Sequence, residues 1–363
     1  MSTRTEKKQV TYVRDIYKPI KGFGQSVFWR ATSLWLLVSL FYFLYNTHPY
    51  YAANHDFDNA RMLLSKAYII FCLLVLPYTW FTLKFNYRLK DDFKDPSIIF
   101  FVLLKRIGLM LATRDITQIG GLFKVKRFNN FCLTCLVKGF FLIIMSMFMF
   151  HHVSVVQQLI GGMLNEMNGV QLANWFLDLV YNSLFIVDTG IALIGYGLEL
   201  KWLGNKTKSV EPTAFGWAVA LMCYPPFNGV SSIYLPLESK QEYFITLTDE
   251  QRIFVRVIIV LLYTVFVWGT IALGVKFSNL SNKGVIGRGP YKYIRHPAYA
   301  SKNIAWWFEH LQYMKSFHNV LPLICWNIVY SLRAITEERH LMKDPDYREY
   351  CKKVKYRFIP GLI

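Results

Sequence analysis

Gly287-Arg288-Gly289-Pro290-Tyr291-Lys292-Tyr293-Ile294-Arg295-His296-Pro297-Ala298-Tyr299 is followed, after a few residues, by an apolar stretch from Ile304 to Leu332. Arg333-Ala334-Ile335-Thr336-Glu337-Glu338-Arg339-His340 comes next. The apolar stretch is interrupted by Glu309, His310, Lys315 and Pro322. So interrupted, it predicts a helical hairpin that enters a membrane and returns to the same face, with its two polar flanks brought together there. Charged and aromatic groups bracketing an apolar stretch suit a site at a membrane surface, one part facing a polar cofactor and the other a lipid-like substrate.

The rest of the chain supports a membrane setting. Its 363 residues are 54% hydrophobic and 17% aromatic but only 18% charged, and mean hydropathy is +0.26. Several runs approach the roughly 20 apolar residues needed to cross a bilayer. The expected fold is all-α and multi-pass transmembrane, with a C-terminal helical hairpin and a cytoplasmic cofactor-binding segment. The formal net charge of +18 arises from lysines and arginines grouped in loops between apolar spans. That distribution fits a surface facing anionic lipid headgroups, and argues against nucleic acid as a partner.

Working outward, spans are expected at Ala31–Asn46, Lys66–Phe85, Phe131–Phe150, Trp175–Tyr196 and Ile253–Val275. A short fifth one, Ala214–Tyr224, is broken by Pro225-Pro226. Loops rich in Lys and Arg alternate with loops poor in them, among the latter the acidic loop with Glu238 and Glu242. This positive-inside pattern puts the N-terminus, the 86–129 loop, the Lys201–Lys208 loop, Arg295 and the C-terminal tail in the cytoplasm. Three regions result: a basic cytoplasmic arm (1–30), an N-terminal transmembrane region (31–252) with a basic interfacial loop at 86–129, and a core (253–363). Within the basic loop, which carries Arg88, Lys90 and Lys94, Ile98–Ala112 is apolar on one side and carries Lys105-Arg106 on the other, the pattern of a helix lying in the interface. No cleaved signal peptide is visible. The membrane is expected to be a bacterial inner membrane or the endoplasmic reticulum, and the oligomeric state is left open.

Several motifs have ordinary readings. Cys132-Leu133-Thr134-Cys135 has the spacing of half a zinc site, but no second pair completes it, so no metal is expected. His151-His152 are adjacent and point apart, which suits an interfacial position. Gly195-Tyr196-Gly197 ends a transmembrane run with no strand before it, so it is no dinucleotide loop. Asp188, in the fourth span with Asp178 and Asn182, is an intramembrane carboxylate. A functional role and a structural hydrogen bond are both open to it.

Arg295, His296, Arg333, Glu337 and Glu338 are expected to cluster. Guanidinium groups suit a carboxylate, carboxylates suit ribose hydroxyls or cations, and tyrosines suit an adenine ring. Pro297 fits the first position of a helix, and the residue before it, His296, is held extended. Arg333 and Glu337 have the spacing of an ordinary helix ion pair. No Ser/His/Asp order, metal-ligand spacing or phosphate loop accompanies them.

In combination, Gly289 to Tyr299, Glu337-Glu338, Tyr347-x-x-Tyr350 and Arg357-Phe358-Ile359-Pro360 resemble the isoprenylcysteine carboxyl methyltransferase family and the related phospholipid N-methyltransferases. The likeness covers about residues 253–363. It implies an integral-membrane methyltransferase that uses S-adenosylmethionine without a Rossmann domain and acts on a lipophilic or lipidated acceptor. The cofactor residues it implies are Tyr293, Arg295, His296, Tyr299 and Glu337. On the substrate side it implies Arg333 and Glu338, with Asn319 in the hairpin turn. Methyl transfer from a sulfonium needs alignment above all. Arg333 would hold a carboxylate acceptor, and Glu338 would accept the proton of an amine. Lys355, where relatives often have proline, and the long N-terminal extension bear on the substrate. Tyr350 to Pro360 also resembles the C-terminus of NADPH-dependent sterol reductases, which gives a second reading. A transporter or scaffold, the third, would spread polar residues through paired spans with broken helices, whereas here they are confined to the C-terminal face.

Overall fold

The computed structural model describes residues 23–86, 96–162, 167–199, 203–229, 246–314 and 317–361. Most of the basic arm, Arg88, Lys90 and Lys94 of the basic loop, Lys201, the acidic loop at Glu238 and Glu242, and Lys315 lie outside them. Among the described residues the protein is all-α, with only two two-residue strands. Among the described residues six helices are long and apolar enough to cross a membrane: Val27–Thr47, His55–Phe81, Pro96–Thr113, Lys126–Gly161, Gly169–Gly197 and Asp249–Lys276. Their outer faces carry bare apolar side chains, such as Leu73 (73% exposed) and Phe43 (64%). In water that would be costly, whereas against lipid it is the expected surface. The protein is a multi-pass membrane protein.

The chain divides into two compact units, residues 1–139 and 140–363, whereas the sequence reading places its boundary at 252/253. In the first unit α1 (Phe23–Thr47) packs on α2 (Asp58–Asn86) through the stacked rings of Tyr42 and Tyr68, 4.3 Å apart, and the Ser39–Tyr68 hydrogen bond of 2.7 Å. Helix α3 (Pro96–Thr113) buries Ile98, Phe100 and Val102, and Val102 joins Leu122 and Phe128 in a small core. This is the helix expected over Ile98–Ala112. By length and composition it also qualifies as a span.

The second unit is built on a register. Helices α5 (Gly169–Gly197) and α7 (Asp249–Leu273) touch at pairs 82 residues apart: Asn174 with Arg256, Tyr181 with Tyr263 (5.3 Å between rings), and Asp188 with Thr270 (2.5 Å). A constant offset means the two helices run in the same direction. This pairing of a helix before residue 252 with one after it is why the boundary falls earlier than expected. The long helix α4 (Lys126–Gly161) enters this unit at Phe140.

Because α5 and α7 are parallel, the chain must return along their length between residues 198 and 248. The sequence assigns that return to a fifth span, Ala214–Tyr224. The helix there, α6 (Ala214–Leu221), has only eight residues and is about 12 Å long, so it cannot cross alone. Pro225 and Pro226 supply no backbone N–H to extend it.

Strands β1 (Ser209–Val210) and β2 (Ser281–Asn282) pair antiparallel, and Lys208 reaches Asp344 at 2.9 Å. The Lys206–Lys208 loop and the C-terminal tail therefore share one end of the unit, as the charge pattern requires. At that end Gly195 lies against the backbone of Phe277, and a Cβ added there would sit 2.5 Å from the Phe277 carbonyl oxygen. Gly195→Ala is accordingly expected to destabilise by about 1–3 kcal/mol. A lower unfolding midpoint in detergent would register it, and an unchanged midpoint would mean that α5 and residue 277 part easily.

The hairpin forms as expected. Helix α8 (Pro297–Glu309) has Pro297 in its first turn and α9 (Phe317–Leu341) returns beside it. Trp306 meets Trp326 (6.4 Å) and Tyr330 (5.0 Å), and Tyr299 meets Tyr330 (5.6 Å), which fixes the two as antiparallel. Asn319 donates to the Tyr313 carbonyl at 2.6 Å, so it closes the turn. Helix α10 (Pro345–Lys353), capped by Asp344, follows.

Candidate functional site

The start of α8 and the end of α9 meet, as an antiparallel hairpin requires. The loop before α8 is tied to the tail by two backbone hydrogen bonds, Arg295 N–H to the Tyr356 carbonyl and His296 N–H to the Arg357 carbonyl, both 2.9 Å. Glu338 is the hub of this junction, and it is 4% exposed. One carboxylate oxygen accepts from Arg357 Nε at 2.8 Å and Arg295 Nη1 at 3.3 Å, and the other lies 3.1 Å from His296 Nε2. Burial pushes its carboxyl up, but hydrogen bonds from His296 and Arg357, with the nearby Arg295 charge, more than offset this and hold it below the usual range. So held, Glu338 clamps loop, hairpin and tail together and is a poor acceptor for a proton.

One turn away the environment changes. Tyr299 stacks on His296 with its ring centre at 5.3 Å, and its hydroxyl donates to Glu337 at 2.8 Å. Both face a cavity of about 330 Å³ inside the second unit. Arg333, 6% exposed, also faces it. The guanidinium lies over the rings of Tyr224 (5.4 Å), Tyr299 (5.1 Å) and Tyr330 (5.7 Å), and it donates to Asn279 Oδ1. The ion pair expected with Glu337 does not form. Among the described residues no carboxylate lies within ion-pair distance of Arg333.

The cavity runs from this polar end towards α4, α5 and α7, where Met145, Phe148, Phe185 and Phe266 line it. His152 lines it as well, bonded to Asn182 at 2.9 Å and stacked on Phe185 at 4.9 Å, while His151 is exposed. The two rings do not point apart but meet edge to face, 5.3 Å between centres, and His152 is packed among helices and not interfacial. Asp188 accepts from Thr270 and also faces the cavity, so both roles open to it have a structural basis.

Five of the seven expected site residues, Arg295, His296, Tyr299, Arg333 and Glu337, line the cavity, and Glu338 bonds to two of them. Tyr293 does not: it is 66% exposed and off the cavity. The loop makes a single 3-10 turn at Gly289–Lys292, and residues two apart on such a turn point in different directions. Tyr291 takes the inner place instead, and its carbonyl accepts from Tyr350 at 2.8 Å. On the expectation that the cavity takes S-adenosylmethionine, Tyr293→Ala leaves affinity for it within about twofold. Tyr299→Phe, which strips the hydrogen bond from Glu337, is expected to weaken it about tenfold, near the upper range for one hydrogen bond to a charged group. Equilibrium binding to the two variants checks the contrast, and an equal loss in both would reject it.

Sequence reasoning missed Tyr224, Asn279 and Lys302. Lys302 follows Tyr299 by three residues on α8, so the helical period alone places it on the same face. Tyr224 and Asn279 carry no signal of their own, because they arrive from loops whose pairing depends on β1 and β2. The cavity lining holds Lys276, Lys283, Arg295, Lys302 and Arg333 against the carboxylates Asp188 and Glu337. No group of three metal-ligating side chains occurs among the described residues.

The chain matches no family model, no curated protein and no solved structure.

Proposed function

We propose that the second unit is an S-adenosylmethionine-dependent methyltransferase acting on a lipophilic acceptor at the cytoplasmic face of the membrane. One observation carries the reading. Arg295, His296, Tyr299, Arg333 and Glu337, which the family resemblance picks from two separate segments, line one cavity with a polar end and an apolar end, and Glu338 bonds to Arg295 and His296 behind it.

The residues fit such a cofactor. The Glu337–Tyr299 pair offers a carboxylate for ribose hydroxyls, and the ring of Tyr291 at the cavity wall offers an aromatic surface for an adenine or a sulfonium. When bound, the cofactor supplies an already activated methyl group. The chain's task is then to orient the acceptor and exclude water. Arg333, held by three tyrosine rings and Asn279, is placed to hold an acceptor oxyanion. Glu338 acts through Arg295, His296 and Arg357 as a positioning residue. With Glu338 occupied by three donors, an acceptor that needs no general base fits better than an amine. Met145, Phe148, Phe185 and Phe266 supply an apolar path for its tail.

A second reading has one observation of its own. Five cations against two carboxylates suit a strongly anionic cofactor, so an NADPH-dependent reductase is the alternative. Direct binding to the purified full chain in detergent separates them, with His296→Ala as the control. Binding of S-adenosylmethionine that weakens at least tenfold in the variant supports methyl transfer. Preference for NADPH replaces it with reduction, and binding of neither by folded protein rejects both.

A further inference from the structure

Two cations of the second unit share a ring. Arg333 Cζ lies 5.7 Å and Lys302 Nζ 5.8 Å from the centre of Tyr330. Lys302 also lies over Trp306 at 5.4 Å and Phe266 at 5.6 Å. Asp188 and Glu309 act on it through space, but among the described residues neither cation has a carboxylate within ion-pair distance. An aromatic face returns about 0.5–2 kcal/mol to a cation, whereas removing a charge from water costs several kcal/mol even after relaxation. Two like charges around one ring in one cavity are therefore undercompensated by the protein itself.

We propose that the space between Lys302 and Arg333 binds the oxyanion head of a lipid, a carboxylate or a phosphate, with its tail along Phe185 and Phe266. Lys302 is the specificity-determining residue. It stands one turn deeper along α8 than Tyr299 and so faces the apolar end of the cavity. A bilayer amphiphile enters tail-compatible surroundings and meets two positive charges where its head stops. An amine head would add a third positive charge there, and an ester head would leave the existing two unanswered. As the identity of a methyl acceptor this rests on the reading above, but as a binding site it stands without it.

The test is direct binding, with no cofactor present. The full chain in phosphatidylcholine nanodiscs is given radiolabelled oleate, with unlabelled oleate, oleoyl lysophosphatidate, oleylamine and methyl oleate as competitors. The site predicts that oleate binds and that the two oxyanion lipids displace it at least tenfold better than the amine or the ester. The better of the two identifies the head group. Lys302→Met is expected to weaken oleate binding at least tenfold, about 1.4 kcal/mol, and Lys302→Arg to hold it within about threefold. Equal displacement by methyl oleate or oleylamine overturns the proposal without recourse to any variant. So does wild-type oleate affinity in a folded Lys302→Met protein. Oleate binding without binding of S-adenosylmethionine would reject methyl transfer and leave this site standing.

Discussion

Glu338→Leu lowers the stability of the protein by about 3–5 kcal/mol, the expected cost of removing one partner from a buried charge network. Three groups lose their acceptor at once, Arg295, His296 and Arg357, and the first two are themselves largely buried. Glu338→Gln keeps an acceptor oxygen and loses less. The pH dependence has a definite sign. The folded carboxyl titrates below its ordinary value, so the unfolded chain binds the proton more readily. Its contribution is fully present above about pH 4.3, the ordinary glutamate value, and is lost as pH falls through the lower folded value. Asp344 acts in the same direction: burial raises its carboxyl, and bonds from Asn282 and Lys208 more than offset that. The acid limb must therefore be read as the difference between wild type and Glu338→Gln. Thermal unfolding in detergent from pH 7 to 3 measures both effects. A Glu338→Leu protein within about 0.5 kcal/mol of wild type would show that the junction is held by the backbone bonds to the tail alone.

What could be read from the sequence follows from which features are local. The spans are local, since apolar length alone sets them, and so is the hairpin, whose polar interruptions mark the turn. The meeting of Arg295 and His296 with Glu338 then follows from hairpin geometry. Direction on an irregular loop is not local, and that is why Tyr293 and Tyr291 exchange places. The end of the return segment after α5 was misjudged for a related reason. An apolar stretch of eleven residues at Ala214–Tyr224 resembles a short span, but only the parallel register of α5 and α7 reveals how far the chain has to travel. That same register draws α5 into the second unit, a long-range fact that no window of the sequence contains. Lys302 was legible and overlooked: three residues beyond Tyr299 on a helix, it was bound to share the site's face.

Arg333→Met should behave in the opposite way to Glu338→Leu. Among the described residues no carboxylate lies within ion-pair distance of Arg333, so its loss strands no described partner charge. What disappears is two hydrogen bonds, to Asn279 and to the Tyr224 hydroxyl, and the contact with three rings, while an unneutralised cation is removed and an apolar side chain of similar length fills the tyrosine box. Those changes nearly cancel, and the unfolding midpoint is expected to stay at or above the wild-type value. Transfer of labelled methyl groups from S-adenosylmethionine to total membrane lipid is expected to fall about 10²–10³-fold, the loss typical of removing one preorganised charge-stabilising group from a site. Cofactor affinity should change far less, since Glu337, Tyr299 and the Arg295-His296 loop are left in place. Retained turnover would take Arg333 out of the acceptor site. Lost turnover with an equal loss of stability would mean that it serves the fold. Among the described residues Arg333 is buried with no carboxylate within ion-pair distance, an electrostatic cost that the proposed anion would offset.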